Sequence, residues 1–300
     1  MYSTQLHTEQ TYNKRNIRQW VLNDVMRSAV FTDMFVHATD AIDRYRNGSY
    51  YKSKDIRISQ LPNTEDIAIQ LFCTVLQTRQ DKPIQGVATA LGLCFYDHQL
   101  DAVKTGAELL AVCQSIGLYT ILSAFSTEHM HDTAIIRPKY QLDDDTLHKI
   151  HMTMYLPPML CSPIPWTDNR HGGHLLGSSS CILGTGNDIN QSQSLDVLNK
   201  LQSIKWTLNT TMLLEEELPK EVYDLTDSKE REKAQQHNAR CIQSRMVYDY
   251  ILANDNEFFF VWKYDKRGRM YSQGYDINLQ GSEYKKATIE FANTELLTGI

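Results

Sequence analysis

The sequence predicts a mainly α-helical fold with small β elements, in the α+β class. Three observations predict it. Apolar residues recur at helical spacing through the first 117 residues, two β-branched runs lie between residues 118 and 137, and an aromatic run begins at residue 258. A chain of 300 residues with 42% hydrophobic content can bury a substantial core, in one large domain or two ordinary ones.

The N-terminal helices are predicted from apolar periodicity and from start and stop signals. Asn63 and Thr64, which follow Pro62, favour a helix start. Asn47-Gly48-Ser49 favours a helix stop. The expected elements are a long or broken helix over 15–45, then helices over 62–76, 83–96 and 101–116.

Two apolar, β-branched runs at 118–125 and 133–137 predict a β-hairpin. The polar segment between them carries His129, Met130 and His131 at its tip. By residue type alone, this hairpin is as compatible with an ordinary exposed turn as with a contact surface.

The middle of the chain contains a proline-rich extended segment at 156–166, a long polar loop at 172–193 and two further helices. Asp143-Asp144-Asp145 could hold a metal ion, but it directly precedes a helical segment, so we favour a helix cap. A helix over 194–214 is expected to place Gln202, Trp206 and Asn209 on one face, and a charged helix is expected over 227–253.

Composition restricts the function classes. A formal net charge of -6 and a pI near 5.9 argue against indiscriminate nucleic-acid binding, so any such contact must be local. Six cysteines without a Cys-x-x-Cys pair indicate a reduced, cytosolic chain, and no segment suggests secretion or a membrane span. His171, His174, Cys161 and Cys181 could be drawn as a metal site, but they lack the tight pairing of zinc ligands, so no metal is expected.

The most informative motif lies near the C-terminus. The aromatic run Phe258–Tyr264 predicts a buried strand, and it leads directly into Asp265-Lys266-Arg267-Gly268-Arg269. Glycine allows a tight turn and close approach, and each guanidinium presents donors that match phosphate oxygens. With Lys263, Lys285 and Lys286, these residues form a cationic tract that could contact a phosphate-rich polymer.

Asp265, Gly268 and Arg269 after an aromatic strand resemble the Asp-x-x-Gly-Arg element of the single-subunit RNA polymerases of bacteriophages and mitochondria. Other segments are similar to that family in the same order. They are 84–92, 105–118, the Pro-Met, Pro-Trp-Thr and Gly-Gly segment of 158–173, the Gln, Trp and Asn of 202–209, and 278–293 with its expected helix over 284–293.

The resemblance implies three parts: 1–155 as an N-terminal helical domain with the hairpin, 156–256 as a linker loop with core and thumb-like helices, and 257–300 as the start of a palm. In that family the metal-binding palm aspartates and the fingers residues lie after the Asp-x-x-Gly-Arg turn, so the active site is expected to be incomplete here. Such a division resembles the two-subunit RNA polymerase of N-four-like phages, whose shorter chain carries the N-terminal part.

The resemblance therefore implies a subunit of a DNA-directed RNA polymerase in the cytoplasm of an infected bacterial host. Its partners would be a second subunit with palm and fingers, the DNA template, the RNA transcript, nucleoside triphosphates and a DNA-melting or single-strand-binding factor. Mg²⁺ would be bound mainly by the second subunit. Nucleic acid would be bound at Asp265, Arg267, Gly268, Arg269, Tyr271, Lys285 and Lys286, and upstream DNA at the hairpin tip, His129, Met130 and His131.

Two alternatives stay open at this point. The chain could be a non-catalytic regulatory protein that binds nucleic acid and derives from the N-terminal half of a polymerase. It could also be a structural scaffold whose motifs match by chance.

Overall fold

The computed structural model describes residues 1–77, 81–126, 131–177, 180–184, 193–214 and 228–293. The chain forms two compact units, and the fold is mainly helical with small antiparallel sheets, as predicted. We call Lys14–His151 the helical unit. The discontinuous unit combines Met1–Asn13 with Met152–Ile300. The functional division at residues 155 and 256 stays a prediction.

The helical unit contains one helical bundle and one small sheet. Its helices are α2 (Lys14–Arg27), α3 (Ala29–Arg46), α4 (Lys52–Ser59), α5 (Thr64–Leu76), α6 (Ile84–Gly92), α7 (Gln99–Val112) and most of α8 (Asp144–Met154). Its strands are β1 (Lys82–Pro83), β2 (Tyr119–Ser126) and β3 (His131–Pro138), in the order β1-β3-β2.

Side-chain caps set the helix boundaries that the sequence predicted. The 15–45 segment, predicted as one long or broken helix, is broken at Ser28, whose hydroxyl accepts a hydrogen bond from the Phe31 amide at 3.4 Å. Asn63 caps α5 through the Asp66 amide at 2.8 Å, and Asp143 caps α8 through the Thr146 amide at 2.6 Å. The cap interpretation of the Asp143 triplet is therefore confirmed. Helix α4 was not predicted.

Two glycines allow α6 and α7 to pack backbone against backbone. A Cβ atom added at Gly106 would lie 1.9 Å from the carbonyl oxygen of Ala88, and one added at Gly92 would lie 1.8 Å from that of Ala102. Both distances are far below van der Waals contact. Glycine is therefore required at both crossing points.

A buried ionic network joins α3, α4 and α7. The Arg57 side chain is only 6% exposed, and its Nη2 donates to Glu108 Oε1 at 2.9 Å. Thr105 and Tyr45 also hydrogen-bond to this pair, and Lys54 Nζ lies 3.5 Å from Glu108 Oε2. Burial alone would raise the pKa of Glu108, but hydrogen bonds from Tyr45 and Arg57 lower it overall, so the carboxylate stays charged.

The predicted hairpin at 118–137 is confirmed. Strands β2 and β3 pair antiparallel from Tyr119 with Pro138 to Ser126 with His131. Two of the tip residues, His129 and Met130, lie outside the described residues.

The discontinuous unit contains α1 (Tyr2–Thr11), the end of α8, and two further small sheets. Its other helices are α9 (Leu195–Gln202), α10 (Thr210–Leu214), α11 (Ser228–Leu252) and α12 (Glu283–Ala287). Its strands are β4 (Lys205–Leu208), β5 (Phe258–Phe259), β6 (Trp262–Tyr264), β7 (Met270–Ser272) and β8 (Ile289–Phe291), in the orders β5-β4-β8 and β6-β7.

The predicted helix over 194–214 is wrong. Helix α9 ends at Gln202, and Trp206 lies in β4, where it pairs with Phe258 on one side and Phe291 on the other. Burial alternates along β4 as it does in a half-buried strand. Pairing between aromatic strands outweighs the helical spacing of Gln202, Trp206 and Asn209, which therefore do not share a helix face.

Two more C-terminal predictions need correction. The helix expected over 284–293 ends at Ala287, because Ile289–Phe291 forms β8 and pairs with β4. The aromatic run Phe258–Tyr264 is buried as expected, but it is divided between β5 and β6, which belong to different sheets.

Polar side chains fix α1 within the discontinuous unit. Gln5 Oε1 accepts a hydrogen bond from the Leu160 amide at 2.9 Å, and the Thr8 and Tyr250 hydroxyl groups lie 2.8 Å apart. Glu9 is 4% exposed, and its carboxylate accepts the amides of Leu175 and Leu176 at 3.0 and 2.7 Å. Helix α1 thus holds two backbone amides that lie 166 and 167 residues after Glu9 in the sequence.

None of the six cysteines forms a disulfide bond. No described helix is long and apolar enough to cross a membrane.

Candidate nucleic-acid interface

The basic motif forms the turn between β6 and β7, which we call the arginine turn (Asp265–Arg269). The Asp265 amide donates to the Arg269 carbonyl at 2.8 Å, and the Gly268 amide donates to the Asp265 carbonyl at 3.0 Å. Gly268 has φ +78°, a left-handed conformation that glycine adopts without steric cost. The glycine predicted to permit a tight turn therefore does so.

The Asp265 carboxylate organises the turn from inside. Oδ1 accepts the amides of Arg267 and Arg269 at 2.8 and 2.9 Å, and Oδ2 accepts Arg269 Nε at 2.7 Å. Desolvation raises the pKa of Asp265, but these hydrogen bonds outweigh it and lower the pKa overall. The predicted contact between Asp265 and a guanidinium is present, and Arg269 makes it.

The cationic groups of the turn face solvent. Lys266 and Arg267 are exposed, and the Arg269 side chain is 61% exposed although it is paired with Asp265. The Arg269 guanidinium also lies 5.7 Å from the centre of the Tyr271 ring. Since Asp265 and Tyr271 already orient this guanidinium, a phosphate would meet donors that are held in place.

The remaining predicted lysines differ in their surroundings. Lys285 Nζ donates to the Tyr275 carbonyl at 3.1 Å and lies 5.4 Å from the Tyr275 ring centre, whereas Lys286 is exposed on the short helix α12. Lys263 is half-buried on β6, with Nζ 5.8 Å from the Trp166 ring centre, and burial lowers its pKa. The predicted tract is therefore exposed at the turn and partly enclosed at Lys263.

The Pro-Trp-Thr and Gly-Gly motifs act together in packing. Trp166 is 3% exposed, and its Nε1 donates to Gln202 Oε1 at 2.9 Å. Gly173 has φ +81°, and a Cβ atom there would lie 3.0 Å from the Trp166 ring. A Cβ atom on Gly172 would lie 2.6 Å from the Trp166 Cα atom.

Sequence reasoning missed a groove beside this tryptophan. Its volume is about 520 Å³, and its lining includes Trp166, His174, Lys263 and Tyr271. His174 was considered only as a metal ligand, and the described residues contain no group of three or more metal-ligating side chains. One feature of the sequence pointed towards this groove: Lys263 lies on the strand that leads into the arginine turn.

The fold and turn define a mixed α+β protein with an exposed, preorganised basic hairpin. No protein-family model matches the chain. DNA-directed RNA polymerase 2, chloroplastic/mitochondrial, from Nicotiana sylvestris is 25% identical to it over 185 residues, covering 47% of this chain and 18% of the relative. The match thus spans less than a fifth of that relative, and it supports the resemblance to single-subunit RNA polymerases that the motifs indicate.

The conformation of Gly268 leads to a prediction for the turn. A Cβ atom at this position would meet no atom within 4 Å, so any cost of substitution is backbone strain rather than collision. Gly268→Val is expected to destabilise the discontinuous unit by about 1–2 kcal/mol. Gly268→Asn should cost clearly less, because Asn tolerates the left-handed region. Urea unfolding of both variants measures the difference, and equal losses would contradict this account.

Proposed function

We propose that this chain is a subunit of a DNA-directed RNA polymerase and that it binds the template and the RNA–DNA hybrid. The observation that carries the proposal is the exposed arginine turn with its fixed Asp265–Arg269 pair. The similarity to an organellar RNA polymerase supports the same class, transcription by nucleotidyl transfer.

In this proposal Arg267 and Arg269 hold phosphates of the template or hybrid next to the active centre. Tyr271, Lys285 and Lys286 extend the contact. Contacts of this type position a nucleic acid without reading its sequence, so binding should tolerate different sequences. The acidic net charge of the chain fits a local contact surface rather than general DNA affinity.

Catalysis in this proposal comes from a second chain, as in the two-subunit polymerase of N-four-like phages. The partner supplies palm and fingers with the aspartates that bind Mg²⁺, and the two chains form a heterodimer in the cytoplasm of the infected bacterial host. Phosphoryl transfer requires metal ions on the attacking and leaving oxygens together with groups that keep the strands in line. In this proposal, the chain described here provides the groups that keep the strands in line.

The test is nucleotide addition on a preassembled RNA–DNA scaffold with Mg²⁺, with this chain alone and with its co-purified partner. Extension only by the pair is the expected result. Arg269→Ala should weaken scaffold binding by about 10- to 100-fold, since hydrogen bonds to charged groups contribute about 1.5–3 kcal/mol. Arg44→Ala removes an equal charge from α3 and should bind normally.

Two outcomes contradict the proposal in different ways. Full activity of the assembled Arg269→Ala enzyme would remove the turn from the mechanism. Scaffold binding without extension, even with the partner present, would favour the non-catalytic regulatory protein instead.

A further inference from the structure

The groove lined by His174 and Lys263 has the size of a ligand site. Its walls come from the end of α8 and the residues after it, from the Gly-Gly segment, and from β6, β7 and the turn that follows β7. Its volume of about 520 Å³ is within the range of small-molecule and cofactor sites. The whole groove belongs to the discontinuous unit.

The inner part of the groove carries two basic side chains. His174 Nε2 is covered from solvent and has no hydrogen-bond partner among the described residues. A buried nitrogen without a partner is uncommon and costly. Burial lowers the pKa of both His174 and Lys263 and so disfavours their charged forms, although the nearby Glu9 carboxylate raises the pKa of His174. The described lining of the groove itself includes no carboxylate. An anion bound at Lys263 would stabilise the charged ammonium and offset the cost of its burial.

The outer edge of the groove carries two stacked aromatic rings. Tyr155 and Tyr275 have ring centres 4.5 Å apart with an interplanar angle of 29°. They are 42% and 40% exposed, so part of each ring is open to solvent. Lys285 lies against the Tyr275 ring and hydrogen-bonds to its carbonyl. An exposed, braced aromatic surface is the arrangement on which proteins stack unpaired bases.

Tyr271 connects the groove to the arginine turn. It lines the groove, and the Arg269 guanidinium lies over its ring at 5.7 Å. A strand held by phosphate contacts at the turn would therefore reach the groove within the next nucleotides.

We propose that the groove binds one nucleotide of a single-stranded nucleic acid, with its phosphate at Lys263 and its base against Tyr155 and Tyr275. This inference rests on the proposed function, because it extends the contact surface of the arginine turn. Recognition is by charge and stacking, so both RNA and DNA strands have the required chemistry.

The test is equilibrium binding of two fluorescent hexanucleotides, one of uridine and one of thymidine, to the full chain. Lys263→Met keeps the length of the side chain without its charge, and Tyr275→Leu keeps apolar bulk without a ring. Each should weaken binding about tenfold, because one stacked base or one buried phosphate contact has that effect. Tyr51→Leu, at an exposed tyrosine of the helical unit, should bind as the unchanged protein does.

Crosslinking of a 4-thiouridine oligonucleotide locates the strand directly. The expected adducts, found by mass spectrometry, lie at Tyr155 or Tyr275. Unchanged affinity in both groove variants, or crosslinks that avoid these tyrosines, would overturn the inference. A preference for the uridine strand would assign the groove to RNA, and a preference for thymidine would assign it to DNA.

The two proposals can fail separately. Groove-dependent oligonucleotide binding without scaffold extension would leave the groove as a single-strand site and reject the polymerase subunit. Extension that depends on Arg269 but not on Lys263 or Tyr275 would support the subunit and reject the groove.

Discussion

Replacing Gly106 by alanine should destabilise the helical unit by about 3 kcal/mol. The added Cβ atom would lie 1.9 Å from the Ala88 carbonyl oxygen, and that oxygen is backbone, so it cannot move aside as a flexible side chain can. The α6 and α7 axes would have to separate, and core contacts of Leu91 and Leu109 would loosen with them. Overpacking usually costs 1–3 kcal/mol, and a backbone collision lies at the upper end of that range.

A matched control lies on α6 itself. A Cβ atom at Gly86 would meet nothing within 4 Å, and alanine favours helix over glycine. Gly86→Ala should therefore be neutral or stabilising by up to about 1 kcal/mol. Urea unfolding, with hydrogen exchange of α6 and α7 as the local readout, gives both values. If Gly106→Ala changed the free energy of unfolding no more unfavourably than Gly86→Ala does, the helices would not be in backbone contact.

Removing Glu108 should have an effect of similar size for an electrostatic reason. Glu108→Ala leaves the Arg57 guanidinium, 6% exposed, without its carboxylate, and it takes an acceptor from Tyr45. Breaking a buried ion pair typically costs about 3–5 kcal/mol; Glu108 itself is 29% exposed, so we expect about 3 kcal/mol.

A double substitution separates charge from packing. Arg57→Met with Glu108→Leu removes both charges and should recover part of the loss, because the penalty comes from the unpaired charge. The control is Asp33→Ala, which breaks an exposed Asp33–His37 pair and should cost under about 0.5 kcal/mol. If the double variant were less stable than Glu108→Ala, the attraction within the network would exceed the cost of removing both charges from water. Thermal unfolding followed by circular dichroism makes the comparison.

Local signals predicted most of the helical unit. Asn63 and Asp143 cap helices where the sequence suggested starts, because a capping side chain acts on amides two or three residues away. The arginine turn was predictable for the same reason. Asp265, Gly268 and Arg269 lie within five residues, so their interactions are encoded locally.

Features that depend on distant partners were not predictable. Trp206 follows helical spacing in the sequence, but it joins a strand because Phe258 and Phe291, more than 50 residues away, pair on both sides of it. Helix α1 has no apolar stripe, since its buried residues are Gln5, Thr8 and Glu9. The groove was missed because its two basic side chains, His174 and Lys263, are far apart in the sequence and meet only in the fold.

The attachment of α1 to the discontinuous unit has a consequence for biosynthesis. The Leu160 amide, which donates to Gln5, lies 155 residues further along the chain. The Tyr250 hydroxyl, which contacts Thr8, lies 242 residues further along. At translation rates of about 5–20 residues per second, α1 leaves the ribosome on the order of ten seconds before Leu160 is made. The helical unit is encoded between α1 and Leu160, so all of it is synthesised before α1 can make that contact. Helix α1 is therefore made well before the residues that hold it, and it is among the last of the described helices to reach its native contacts.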